Sequence, residues 1–268
     1  MSSRRAEPSS QPDEIYARIR REGRRRLSRP RLELGATALV GGFDVSFGVV
    51  AFALVAGAFQ AHFGTAIAHA VGALAFGVGF VFVVVGRSEL FTENFLVPIA
   101  GLERNRGSLR QLAELWVGAL ILNLVGGTIL ALILTSQGVL DGNAQGQLVR
   151  LAERVAGNGT TTALLSAVVA GALMTLMTWF VEGAAESTGV RILMSWVVGA
   201  LILLGTFNHA VVSTIELVFG LRFGADVSVG DLFRNLGLAL AGNLAGGLLL
   251  VTFARSAQAF AASDRSAG

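Results

Sequence analysis

Two short stretches concentrate the chemistry available to this chain. Residues 86–95 read GRSELFTENF and residues 205–214 read GTFNHAVVST. The first gathers Arg87, Glu89, Thr92 and Glu93, and the second Asn208 and His209. Hydroxyl, amide and imidazole groups can replace the water around a small anion. Among them only the imidazole exchanges a proton near neutral pH, its unperturbed pKa being about 6.5. In an apolar site burial disfavours the charged ring, so His209 is read as neutral and hydrogen-bonding at rest. Much other chemistry is excluded. There is no cysteine, hence no disulfide, thiolate nucleophile or Cys-bound metal. All 21 basic residues are arginine, which removes Schiff-base chemistry and a phosphate-loop lysine. His62, His69 and His209 are too scattered for a metal site, and the first two read as ordinary packing histidines. No cofactor and no enzymatic activity are expected.

The elements that hold these stretches must be membrane helices. The chain is 53% hydrophobic and 15% charged, against about 25% charge in soluble domains. Five windows lack Asp, Glu, Lys and Arg altogether: 61–86, 115–140, 155–181, 192–215 and 235–254; a sixth, 34–59, is interrupted by Asp44 alone. About 20 apolar residues cross a bilayer as a helix, and in lipid the backbone must satisfy itself. The expected fold is therefore an all-α membrane protein with six transmembrane helices. With six crossings, sixteen of the arginines share the side of the termini. The positive-inside rule then places both termini in the cytoplasm, across a bacterial-type inner membrane.

The expected domains are an arginine-rich cytoplasmic tail (1–33), a six-span channel domain (34–255) and a disordered cytoplasmic tail (256–268). The first tail lacks the layout of a signal peptide. Its stretch 13–29 reads either as a basic helix on the lipid surface, touching it through Ile15, Tyr16 and Ile19, or as a solvated segment that sets topology. Its charge fits anionic lipid better than nucleic acid.

An internal repeat orders the spans. Residues 123–130 (NLVGGTIL) and 243–250 (NLAGGLLL) match at an offset of 120 and fall in the third and sixth windows. Asn123, Gly126 and Gly127 thus mirror Asn243, Gly246 and Gly247, a pattern suited to close helix packing with an interhelical hydrogen bond. Two repeats of three spans, about 34–135 and 155–255, must be inverted, because three is odd. Inverted repeats place their sites near the midplane at broken helices, so the second and fifth spans are expected to break at the two stretches above. Free N–H groups at such breaks suit an anion. Thr92 and His209, 117 residues apart, are expected in comparable places of the two halves. Ionisable residues inside spans are functional candidates by default: Asp44, Arg87, Glu89, Glu93 and Glu216. Arg87 is expected either to pair with Asp44 or Glu89 and hold the break, or to attract an anion.

At these residues the chain resembles the formate/nitrite transporter family. The resemblance rests on Glu89-Leu90-Phe91-Thr92, the lone His209 of the fifth span, the two Asn-x-x-Gly-Gly segments and their order over about 34–255. It implies an aquaporin-like fold without Asn-Pro-Ala boxes. It also implies a homopentamer with one pore per protomer for small monovalent anions such as formate, nitrite, hydrosulfide, acetate or lactate. By the same resemblance Thr92 lies on the loop interrupting the second span and faces His209 at mid-pore. Leu90 and Phe91 form apolar constrictions on either side, and Ile202 and Phe76 take further constriction positions. The anion would acquire a proton near the histidine. The chain departs from the family in having Asn208 where many members carry Glu. It has no vestibule lysine, a place Arg154 stands nearest to filling, and it carries Arg87 at a position expected to be small or uncharged.

The reading that results is a proton-linked channel or transporter for a small weak-acid anion, with protons and membrane lipid as its other partners. Two alternatives stay open: a neutral-solute channel for water, glycerol or ammonia, and a membrane scaffold or sensor without transport.

Overall fold

A computed structural model describes residues 11–102, 106–184 and 186–266. The first ten residues of the arginine-rich segment and the last two of the chain lie outside that description. Among the described residues every regular element is helical.

The chain opens with α1 (Pro12–Leu27), where proline takes the first turn and the Gln11 N–H donates to Glu14 Oε2 at 3.2 Å. Next comes α2 (Arg31–Gly86), 56 residues that would extend about 84 Å as a straight rod. It does not run straight. Gly64 adopts φ 74 and ψ 172, a conformation open to glycine and strained for residues with a Cβ. Gly48 lies against Phe76 and Gly79, and Gly72 against Phe52 and Ala56. Those pairs have their midpoints at residues 62–64, so the two limbs of α2 fold back antiparallel as a hairpin about Gly64. The apolar windows 34–59 and 61–86 are these limbs.

The chain then breaks. A 3₁₀ turn (Phe91–Phe95) and α3 (Val97–Gly101) precede the long α4 (Arg106–Leu134). The amphipathic α5 (Gly142–Gly157) is capped by Asp141, whose Oδ1 accepts the Ala144 N–H at 2.9 Å. It turns Ala144, Leu148, Leu151 and Ala152 inward. The second half repeats the plan with α6 (Thr160–Gly183), α7 (Thr188–Leu204), a break, α8 (Ala210–Phe223) and α9 (Val229–Ala245). A π-helical segment (Gly246–Thr252) carries α9 into α10 (Phe253–Ser266). The helices α2, α4, α6 and the run Val229–Ser263 are each long and apolar enough to cross a membrane. With 17 and 14 residues, α7 and α8 reach only about 26 and 21 Å, short of a core of roughly 30 Å. The fifth apolar segment is thus interrupted within itself, while the second ends at Gly86, where the chain breaks before the 3₁₀ turn.

Two asparagines tie the breaks down in the same way. Asn123 Oδ1 accepts the Phe91 N–H at 2.8 Å, while its Nδ2 donates to the carbonyls of Ala38 (2.7 Å) and Glu89 (2.8 Å). Asn243 Oδ1 accepts the Ala210 N–H at 2.9 Å, while its Nδ2 donates to Ala167 (2.8 Å) and Asn208 (2.9 Å). Each side chain satisfies two backbone groups of a break, an N–H and a carbonyl that the interruption leaves without helical partners, and ties them to a carbonyl of a neighbouring helix, Ala38 of α2 or Ala167 of α6. The neighbouring glycines repeat too. Gly126 presses on the Leu39 carbonyl and Gly246 on that of Val168, approaches that leave no room for a Cβ.

This correspondence corrects one expectation. The clasps match Glu89 with Asn208 and Phe91 with Ala210, so the counterpart of His209 is Leu90 and not Thr92. The helix ends agree. Arg87 (φ 59) and Thr206 (φ 51), the two non-glycine residues at positive φ among those described, terminate α2 and α7 at the same offset. In both cases the left-handed position falls on the residue after the glycine.

Both tails also differ from their sequence reading. The described part of the first is a docked helix. Ile19 is fully buried with Leu96, Val97 and Trp179, and Gly23 packs on Gly101. Ile15, Ile19 and Gly23 recur at four-residue spacing and so share one face of α1, which α3 covers. Residues expected to be disordered continue α10 instead: Tyr16 and Phe260 pack edge to face at 5.6 Å, and the Arg255 guanidinium lies 5.1 Å above Trp179. An alanine-rich stretch favours helix, and contact with α1 gives this one a face to bury.

Candidate functional site

The two breaks meet at His209. The ring is buried as the N-cap of α8, and its Nδ1 accepts the Val212 N–H at 3.2 Å. A nitrogen that accepts carries no proton, so the neutral ring bears its hydrogen on Nε2. That atom lies 2.7 Å from Thr92 Oγ1 and donates to it. Thr92 is fully buried on the 3₁₀ turn of the first break, and its own hydroxyl hydrogen stays available. Phe80 packs edge to face on the imidazole at 5.9 Å, with Phe76 against Phe80 at 5.5 Å, one turn nearer to Gly64. Leu90 and Ile202 are completely buried.

On the α1 side lies a cavity of about 160 Å³ bordered by Arg26, Arg29, Arg87, Glu89, Glu93 and Arg191, among others. Glu89 is buried and held from α1 and the turn after it: Arg29, in the turn, pairs with it directly, and Arg26 Nη1 of α1 stands 3.7 Å away while donating to Asn94 Oδ1 at 3.1 Å. At the rim, Glu22 sits below the usual carboxylate range. Burial opposes this, and the hydrogen bond from Arg25 with the charges of Arg26 and Arg25 outweighs it.

On the opposite side a smaller cavity of about 20 Å³ is bordered by Arg154, Ile202, Thr206, Ser213 and Glu216 with apolar neighbours. The site is therefore a buried imidazole–hydroxyl pair between two arginine-bearing vestibules, with aromatic and aliphatic side chains closing the route.

Comparison with known proteins agrees with this arrangement. The pattern of the formate/nitrite transporters matches residues 13–257. The chain belongs to the formate/nitrite transporter family. It is 27% identical to inner membrane protein YfdC of Escherichia coli (strain K12) over 249 residues, 91% of this chain and 77% of that one. It is 24% identical to formate channel BtFdhC of Bacillus thuringiensis over 245 residues, 91% and 93% of the two chains. A solved pentameric formate channel with formate bound superposes with a TM-score of 0.71 at 20% identity, covering 83% of this chain and 95% of that one. An ion channel of the family gives 0.73 at 18%, covering 91% and 96%. The protein is thus an integral membrane protein of a transport family, not an enzyme.

Within this member of the family the remaining candidates fall as follows. Asn208 does not offer its amide to the route: it exchanges hydrogen bonds with Asn235 at 2.9 and 3.1 Å and also donates to the Ala163 carbonyl. Asn235, its partner, was invisible in sequence as one polar residue opening an apolar window. Arg87 makes neither expected pair. Asp44 Oδ2 accepts from Ser88 at 2.6 Å, and Glu89 is taken by Arg29. Left-handed geometry ends α2 at Arg87 and sends its side chain to the vestibule instead. The Phe91 ring joins Phe95 (5.1 Å) and Trp116 (6.5 Å), whereas the aromatic on the imidazole is Phe80. Its signal was four-residue spacing from Phe76. Gly127 and Gly247 pack across the repeats, on Ile215 and Phe95.

Proposed function

We propose that the chain conducts a small monovalent weak-acid anion, formate or nitrite by chemical class, through a pore in each protomer. Transfer of a proton at His209 accompanies it. The observation that carries this reading is the 2.7 Å contact between His209 Nε2 and Thr92 Oγ1, buried where two interrupted helices meet. An anion that reaches this point has lost its water, which is expensive in an apolar passage. Thr92 offers it a hydroxyl hydrogen, and the N-terminal end of α8 offers a favourable dipole. The imidazole, having taken up a second proton from the water of a vestibule, passes one on, so that the anion becomes a neutral acid able to pass Phe76 and Ile202 and the ring returns to its neutral form. Leu90 on the other flank keeps water out, so that an unaccompanied ion is disfavoured.

Arg87 and Arg191 concentrate anions on the α1 side, and Arg154 does so on the other, in the place of a lysine. Six crossings in two inverted repeats (about 34–135 and 155–255) lie in an inner membrane with both termini cytoplasmic. Five copies assemble, in line with the pentameric neighbour. Asn123, Gly126 and Gly127, with Asn243, Gly246 and Gly247, hold the broken helices in register, while Asp44 and Glu89 anchor the first break.

The test is stopped-flow uptake into proteoliposomes holding a pH-sensitive dye, challenged with formate, nitrite, acetate, lactate and hydrosulfide. Empty liposomes and His209→Ala protein are the controls, since neutral acids also cross lipid unaided. A pH change in the wild type above both controls is expected for at least one anion. Folded protein that shows no excess flux with any of them overturns the reading, and pH-independent swelling would point to a neutral solute.

A further inference from the structure

The vestibule beyond His209 contains a carboxyl group that an anion route would exclude if it were only a fixed charge. Glu216 is 4% exposed and borders the cavity that also holds Arg154, Ile202, Thr206 and Ser213. Among the described residues it has no hydrogen-bond or ion-pair partner: Arg154 shares the cavity but makes no salt bridge with it. The charged side chains bordering the cavity are Arg154 from α5 and Glu216 itself. The lining from α7 and the second break is Ile202, Leu203, Thr206 and Phe207, and α2, α4 and α9 present no titratable group there.

The position of Glu216 is as informative as its isolation. His209, Ser213 and Glu216 stand at i, i+4 and i+7 of α8 and so share one face. The helix rises from the midplane toward this vestibule, so Glu216 lies about 10 Å beyond the imidazole along its axis, with the Ser213 hydroxyl between them. A carboxylate in a space of about 20 Å³ repels the anion that must share it. A carboxylic acid there donates a hydrogen bond to the same anion and can give it the proton.

Resting on the proton-linked reading above, we propose that Glu216 is the proton-exchange group of the vestibule opposite α1. For an anion entering from that side, the O–H bond of Glu216 breaks as an O–H bond forms on the substrate carboxylate or nitrite. The acid moves on as a neutral molecule, and the Glu216 carboxylate, beside Arg154, recovers a proton from the water of the vestibule. For movement outward the same steps run in reverse. His209 serves the midplane and Glu216 the mouth.

The experiment compares wild type, Glu216→Gln, Glu216→Asp and Arg154→Gln in proteoliposomes of sorted orientation, with formate and nitrite as probes. Dye-reported proton uptake and tracer anion uptake are read together across pH. In Glu216→Gln, which keeps a donor and a similar volume but no exchangeable acid proton, proton uptake driven from the Glu216 side is expected to fall at least about tenfold and its pH profile to flatten. Glu216→Asp should recover both. Infrared spectra of the resting protein provide a readout independent of flux: the carbonyl stretch of a protonated carboxylic acid is expected in wild type and reduced in Glu216→Gln. Wild-type flux and pH profile in Glu216→Gln overturn the proposal, even with a lowered melting temperature, because that combination describes a structural carboxylate. A wild type without His209-dependent flux would instead remove the transport reading on which the proposal stands.

Discussion

Replacing Asn243 by leucine tests whether the breaks are held by a three-bond clasp. The substitution keeps the volume and removes the acceptor of the Ala210 N–H together with both donors, those to Ala167 and Asn208. Asn243 is fully buried, and the backbone groups it leaves behind have no lipid or water partner. At a net value of about 1 kcal/mol per hydrogen bond the loss is about 3 kcal/mol, and orphaned buried groups raise it. For a chain of this size each kcal/mol moves the melting temperature by roughly 2–4 °C, so a fall of at least about 6 °C follows. The assay is thermal unfolding of the purified protein in a fixed detergent, with exposed Asn143→Ala as the control expected to stay within about 0.5 kcal/mol. Asn123→Leu should fall by a similar amount, since its clasp has the same three partners by type. A melting temperature for Asn243→Leu within about 2 °C of wild type would refute the clasp. A large effect at one asparagine and none at the other would refute the equivalence of the two breaks.

Further outcomes are expected elsewhere. Thr92→Val leaves the buried Nε2–H of His209 without its acceptor, a loss of about 1–3 kcal/mol, and should lower anion flux roughly tenfold or more, while Thr92→Ser retains it; proteoliposome uptake decides. Arg29→Ala leaves Glu89 buried with Arg26 as its remaining, more distant partner. It should destabilise the docked α1 by about 3–5 kcal/mol, seen as faster proteolysis within 12–30, with the added change Glu89→Gln restoring part of the loss. Gly64→Ala has open space for its methyl group, so its penalty is the backbone conformation alone, about 1–3 kcal/mol, read from the same melting curves. Gly246→Val drives a side chain into the Val168 carbonyl and should abolish folded yield in size-exclusion chromatography, while Gly237→Ala, with nothing near the added Cβ, should not.

The membrane character, the places where the second and fifth segments break, and the kinship of Asn123 with Asn243 were all legible in the chain itself. Lipid imposes its demands locally: a crossing needs a continuous apolar run, and a glycine-rich polar stretch at its end or within it cannot continue one. The choice of partners was not legible, because it depends on which distant segments the fold brings together. Glu89 looked available to Arg87 two residues away, yet Arg29, with Arg26 behind it, reaches it from some 60 residues earlier in the chain. Asn208 looked free to line the route until α9 brought Asn235 beside it. Phe80, one aromatic among 17 phenylalanines, became the neighbour of His209 only when the limbs of α2 closed about Gly64. Composition and spacing determine that this chain spans a membrane with interrupted helices and a lone histidine at one break. Tertiary packing alone decides what that histidine touches, because side chains more than 100 residues apart meet only after every helix has found its neighbour.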